Sequence, residues 1–199
     1  MKKLGLDLDN TIILYDKLFK KIAVEEKLVS TDIEPSKIAV RNHLRAKGRD
    51  EDFTILQSIV YGKRILEAEL ADGFKLFLEK LDTEIEVYII SHKTKFPIKG
   101  EKINLHEAAI NFLEMENLIG NKQGQIIKSN IYFEKTISEK INRINSLNCD
   151  YFIDDLPEIL NRIEFRLVKI FYNPNSTEID KKGFNMITHW NDLDKKITI

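Results

Sequence analysis

An apolar strand pattern running from Lys3 to Leu8 ends in Asp7-Leu8-Asp9-Asn10-Thr11, and no convincing strand follows through Leu70. A chain that makes one buried strand, leaves it for a long helical stretch and then returns to strands has few folds open to it. From Ile12 to about Val29, apolar residues recur at helical spacing (Leu14, Leu18, Ile22, Leu28). Pro35 is placed to open a second helix, carrying Ile38, Ala39 and Leu44 and stopping near Gly48. Phe53, Leu56, Ile59 and Val60 predict a third. After Asp72-Gly73 the pattern changes. Helical faces (Phe74 to Leu81, Leu105 to Leu118, a helix capped by Ser138 with Ile141, Ile144 and Leu147, and Pro157 to Ile163) alternate with short apolar strands. Those strands are Ile85–Ile90, Ile131–Phe133, Tyr151–Ile153 and Leu167–Tyr172. Asn173-Pro174-Asn175-Ser176 reads as a turn, with short surface structure beyond it.

Strands alternating with helices call for a parallel sheet covered on both faces. The expected architecture is α/β: a three-layer, Rossmann-like parallel sheet core with a small helical cap. Residues 1–10 and 72–199 form the core and 11–71 the cap. A chain of 199 residues is long enough to bury such a core without staples.

In an open parallel sheet, ligands bind outside the carboxyl ends of the strands. Asp7 and Asp9 stand at the first strand's end, two positions apart and so on one side of an extended chain. Ser91 follows the second strand, and Asp154 and Asp155 follow Tyr151–Ile153. Lys140 lies in the first turn of the helix before that strand, where the helix dipole also favours an anion. Lys135, just past Ile131–Phe133, competes for the same role. Several carboxylates cannot all stay ionised in one cleft without a cation. Hard oxygen ligands favour Mg²⁺ shared with a substrate phosphate. A hydroxyl and an ammonium suit phosphate oxygens, and a carboxylate can serve as a phosphoryl acceptor. His92 or Lys93, in the loop after Ser91, is a candidate contact for an anionic substrate; a basic surface loop is the competing reading. Arg45, Gln57, Tyr61 and Arg64 are candidate substrate contacts in the insert; for each, an ordinary helix surface is the competing reading.

Asp7-Leu8-Asp9-Asn10-Thr11 resembles the first motif of the haloacid dehalogenase (HAD) superfamily of phosphatases. Ile89-Ile90-Ser91 is similar to its second motif, Lys140 to its third, and Phe152-Ile153-Asp154-Asp155 to its fourth. The motifs occur in order, and the helical insert resembles the caps found between motifs one and two. The resemblance implies a Mg²⁺-dependent phosphomonoester hydrolase. Asp7 would be the nucleophile, and Asp9 the general acid and then base. Asp7, the carbonyl of Asp9, and Asp154 would hold Mg²⁺, with Asp155 as a ligand or behind one. Ser91 and Lys140, with His92 and Asn10, would bind the phosphate. The second acid, Asp9, favours ester hydrolysis over dehalogenation.

The expected substrate is a compact phosphorylated metabolite, a sugar phosphate or amino-alcohol phosphate, with bacterial surface polysaccharide synthesis as a setting by fold-level analogy. A nucleoside monophosphate is the rival. It would call for aromatic residues that stack a base, and the insert offers Tyr15, Phe19, Phe53 and Tyr61. A non-catalytic phosphate-binding module on the same fold is the other alternative. A net charge of −1, with both signs spread along the chain, argues against nucleic acid as a partner. No window has the length of a membrane span. The lone Cys149, read as a packing residue, and a start that leads directly into a strand point to a cytoplasmic protein, monomeric or homodimeric.

Overall fold

The computed structural model describes residues 1–163, 166–175 and 184–195. The chain divides into two compact units: Met1–Ile12, Leu70–Lys93 and Asn117–Ile199 form one, Ile13–Glu69 and Thr94–Glu116 the other.

The first unit holds a six-stranded parallel sheet. Its strands are β1 (Lys2–Leu6), β4 (Ile85–His92), β5 (Ile131–Glu134), β6 (Tyr151–Asp154), β7 (Val168–Tyr172) and β8 (Asn185–Ile187), in the spatial order β5-β4-β1-β6-β7-β8. The chain thus builds outward from β1 in both directions, and the order reverses at β1. Leu6 faces Ile89 of β4 on one side and Ile153 of β6 on the other. Helices α4 (Phe74–Lys80), α6 (Ile137–Leu147) and α7 (Pro157–Arg162) connect these strands. The α/β, Rossmann-like core expected from the sequence is therefore present.

β1 is buried on both faces, with Leu4 and Leu6 wholly inaccessible. Between them, Gly5 lets a neighbour approach: a Cβ there would lie 2.5 Å from Phe152 Cδ2 and 3.2 Å from Cys149 Sγ. Phe152 and Cys149 belong to a cluster with Ile90, Ile141, Ile144, Ile159 and Leu160. Cys149 packs there as expected, and burial pushes its thiol up to about 11.

Two local expectations are corrected. Helix α6 is capped by Thr136, two residues before Ser138. Thr136 Oγ1 accepts the Glu139 N–H at 3.1 Å, and Glu139 accepts the Thr136 N–H at 2.9 Å. This reciprocal box satisfies two free donors, which Ser138, already inside the helix, cannot do. The tail also contributes more than surface structure. β8 extends the sheet, and the following 3-10 turn buries Trp190 against Phe74, Phe77 and Tyr172, at ring separations of 4.7, 5.3 and 5.4 Å. Ser176, the end of the expected turn, lies outside the described residues.

The second unit is mainly helical: α1 (Asp16–Glu25), α2 (Lys37–Ala46), α3 (Asp50–Ser58), a π-helical turn at Ile59–Lys63, and α5 (Leu105–Met115). Ser36, next to Pro35, caps α2 by accepting the Ile38 and Ala39 N–H groups. Two short strands, β2 (Ile13–Leu14) and β3 (Glu69–Leu70), pair where the insert was expected to be wholly helical. The segment 94–116, grouped with the core in the sequence-based boundaries, packs with these helices. Gly62 leaves room for Ile103 and Leu105, whose side chains would lie 3.2 Å from a Cβ there. No helix among the described residues is long and apolar enough to cross a membrane.

Gly5→Ala tests the close approach at β1. The added methyl overlaps Phe152, so the expected loss is about 1–3 kcal/mol of unfolding free energy, read from urea melts. A melt matching wild type would show that Phe152 moves freely.

Candidate active site

Asp7, Asp9, Ser91, Lys140, Asp154 and Asp155 belong to the sheet-containing unit, at the carboxyl ends of β1, β4 and β6, whereas Arg45, Gln57, Tyr61 and Arg64 lie in the helical unit, where Arg45 pairs with Asp50 and Arg64 with Glu25 and Glu67. The Asp7 N–H donates to Ile153 O at 2.9 Å, so β1–β6 pairing continues one residue past β1 and fixes where the Asp7 side chain starts. Asn10 then adopts a left-handed backbone with φ 62°, a conformation Asn tolerates better than most residues, and the chain turns away. The Thr11 hydroxyl is buried with no hydrogen-bond partner among the described residues.

Lys140 projects from the buried face of α6 and is 2% exposed. Its ammonium donates to Asp7 Oδ1 at 2.5 Å and to Asp154 Oδ2 at 2.7 Å. It bridges the ends of two adjacent strands. The other oxygen of Asp154 accepts the Leu156 N–H at 2.9 Å, so Asp154 also shapes the turn into α7. Of the two candidate lysines, Lys140 is the one that reaches Asp7. Lys135 is exposed, and its carbonyl faces His92 Nε2 at 3.1 Å. His92, at the end of β4, is likewise exposed, whereas Ser91 is 1% exposed.

Lys93 was less conspicuous in the sequence than its geometry warrants. Its ammonium lies 2.8 Å from Asp9 Oδ2, and its side chain is 3% exposed. The signal available beforehand was only its place in the loop after a core strand.

Asp7, Asp154 and Asp155 each offer a carboxylate oxygen within 4.8 Å of the others. Burial, then the charge of Asp7, pushes the Asp154 carboxyl up to about 7, against the pull of Lys140. Burial alone would lower the Lys140 ammonium, but Asp7 and Asp154 more than offset it and hold it above the usual lysine range. With Asp9 included, four carboxylates face the ammoniums of Lys93 and Lys140. Hard carboxylate oxygens gathered this closely from Asp7, Asp154 and Asp155 are the donor type Mg²⁺ takes, so the donor set fits Mg²⁺.

No family model matches the chain. A protein of Oceanobacillus iheyensis, provisionally named a nucleotidase, is 21% identical over 97% of both chains. Among solved structures, a HAD-superfamily hydrolase of subfamily IA from Geobacter sulfurreducens is 10% identical, with a TM-score of 0.60 over 98% of this chain and 96% of that one. A phosphoserine phosphohydrolase-like protein from Francisella tularensis is 15% identical, with a TM-score of 0.54 over the whole of both chains. The fold is that of the HAD-like hydrolases.

Mg²⁺ added to chelator-treated protein is expected to raise the melting temperature. Saturation at about 100 times Kd corresponds to about 2.7 kcal/mol. Asp154→Asn should abolish most of the shift. A wild-type melt indifferent to millimolar Mg²⁺ would contradict the assignment of a cation to this cluster.

Proposed function

We propose that this protein is a Mg²⁺-dependent phosphomonoester hydrolase that works through a phosphorylated Asp7. The observation that carries this reading is the Lys140 ammonium set between Asp7 and Asp154, with Asp155 close by. This arrangement sets the Asp7 carboxylate, the proposed nucleophile, beside an ammonium that can also donate to a phosphate. The likeness of the fold to HAD-like hydrolases supports it.

In the first half-reaction, an Asp7 oxygen attacks phosphorus and the bond to the ester oxygen breaks. Asp9 gives that oxygen a proton. In the second, Asp9 takes a proton from water, which attacks the phosphorus of phospho-Asp7. Inorganic phosphate leaves and the Asp7 carboxylate is regenerated. Ser91 and Lys140, with His92 and Asn10 as further candidates, hold phosphate oxygens and offset charge as it shifts. Asp7, Asp154, the Asp9 carbonyl and Asp155 would hold Mg²⁺, which when bound supplies charge neutralisation on the phosphoryl oxygens. A cytoplasmic location is consistent with the buried, unpaired Cys149.

A compact sugar or amino-alcohol phosphate is the preferred substrate class; the surface-polysaccharide setting rests on fold-level analogy alone. Most aromatic surface in the helical unit is already used. Phe19 stacks on Phe53 at 5.8 Å, Tyr15 and Phe19 meet Tyr61 edge-on at 4.8 and 5.6 Å, and Tyr15, Phe19 and Phe53 are buried. The nucleotidase reading draws on Tyr61, half-buried on the π-helical turn, and on the name of the Oceanobacillus relative.

A free-phosphate screen over sugar phosphates, amino-alcohol phosphates and nucleoside monophosphates decides between them, and a clear preference for nucleotides would reverse the order. Asp7→Asn should remove all turnover. Lys140→Ala should cost about 100-fold or more in kcat, while Lys135→Ala stays within about twofold of wild type. Phosphate-analogue binding without turnover of any substrate would favour the non-catalytic module instead.

A further inference from the structure

We infer that Lys93 is a positioning residue for Asp9, an inference that rests on the phosphatase reading above. Lys93 is the first residue after β4. Its N–H donates to Glu134 O at 2.9 Å, which ties its backbone to the end of β5. From that anchored start the side chain runs inward and puts its ammonium on Asp9 Oδ2. A lysine that is 3% exposed has given up most of its hydration, and a close carboxylate is what offsets that cost.

Its choice of acid is informative. Asp7, Asp154 and Asp155 gather within 4.8 Å, and the Asp9 carboxylate is not part of that group. Lys140 serves the inner acids and Lys93 the outer one. Asp9 follows Asp7 by only two residues, just past the end of β1, so its carboxylate starts close to the inner acids and to any cation they hold. The Lys93 ion pair keeps it out of that cluster, where it can exchange a proton with the ester oxygen and then with water.

A residue that orients the acid should matter most when the leaving group needs its proton. Lys93→Met and Lys93→Arg are compared with wild type on p-nitrophenyl phosphate, whose leaving group departs readily unprotonated. The second substrate is an alkyl phosphomonoester that the wild type hydrolyses. For Lys93→Met, kcat on the alkyl ester should fall about 100-fold and on the aryl ester only about threefold. KM should stay within about threefold for both, and Lys93→Arg should recover part of the loss.

Equal losses on both substrates, a raised KM with kcat retained, or unchanged kinetics would each overturn the inference. A crystal structure of Lys93→Met decides independently of turnover. The Asp9 carboxylate should leave its wild-type position, and an unmoved Asp9 would overturn the positioning role. If wild type hydrolyses neither ester, the phosphatase reading fails, and the crystal structure still decides the role of Lys93.

Discussion

Lys140 holds Asp7 and Asp154 together, and most of the site's chemistry follows from that contact. Two buried carboxylates at the ends of adjacent parallel strands would repel each other. An ammonium shared between them offsets that repulsion and fixes where both side chains point. Its cost is the burial of a lysine, and α6 makes that burial possible. The Thr136–Glu139 box fixes where the helix begins, and Ile141 and Ile144 anchor it in the core. Lys140 is thereby carried inward on the same face.

Sheet order does the remaining work. β1 lies between β4 and β6, so groups from three strands converge although they are far apart in sequence. Gly5 has a part in this. By admitting Phe152 against β1, it lets β1 and β6 pair closely enough for the Asp7 N–H to reach Ile153 O. The position of Asp7 therefore depends on a glycine two residues before it.

The core strands were legible because parallel strands buried on both faces read as unbroken apolar runs ending in polar residues. Asp7, Asp9, Ser91 and Asp154 were legible for the same reason, since each marks the end of such a run. What was not legible depended on partners remote in sequence. β8 is three residues long, and its place is set by β7 and by the packing of Trp190. The grouping of 94–116 with the helices depends on Ile103 and Leu105 meeting Gly62. Lys93 was legible as a lysine beside the site, but its partner, Asp9, is remote in sequence. The cap of α6 is a different case. Thr136-x-x-Glu139 is written in the sequence and names the helix start directly.

The clustered carboxylates of Asp7, Asp154 and Asp155 also bear on the proposed function. A divalent ion held there would bring coordination positions for phosphate oxygens that an ammonium lacks. Lys140 and Lys93 contact different acids: Lys140 pairs with Asp7 and Asp154, and Lys93 with Asp9. On the proposed mechanism that division matches the two tasks of the site, because the acids beside Lys140 would meet the phosphoryl group while Asp9 would be left for the proton.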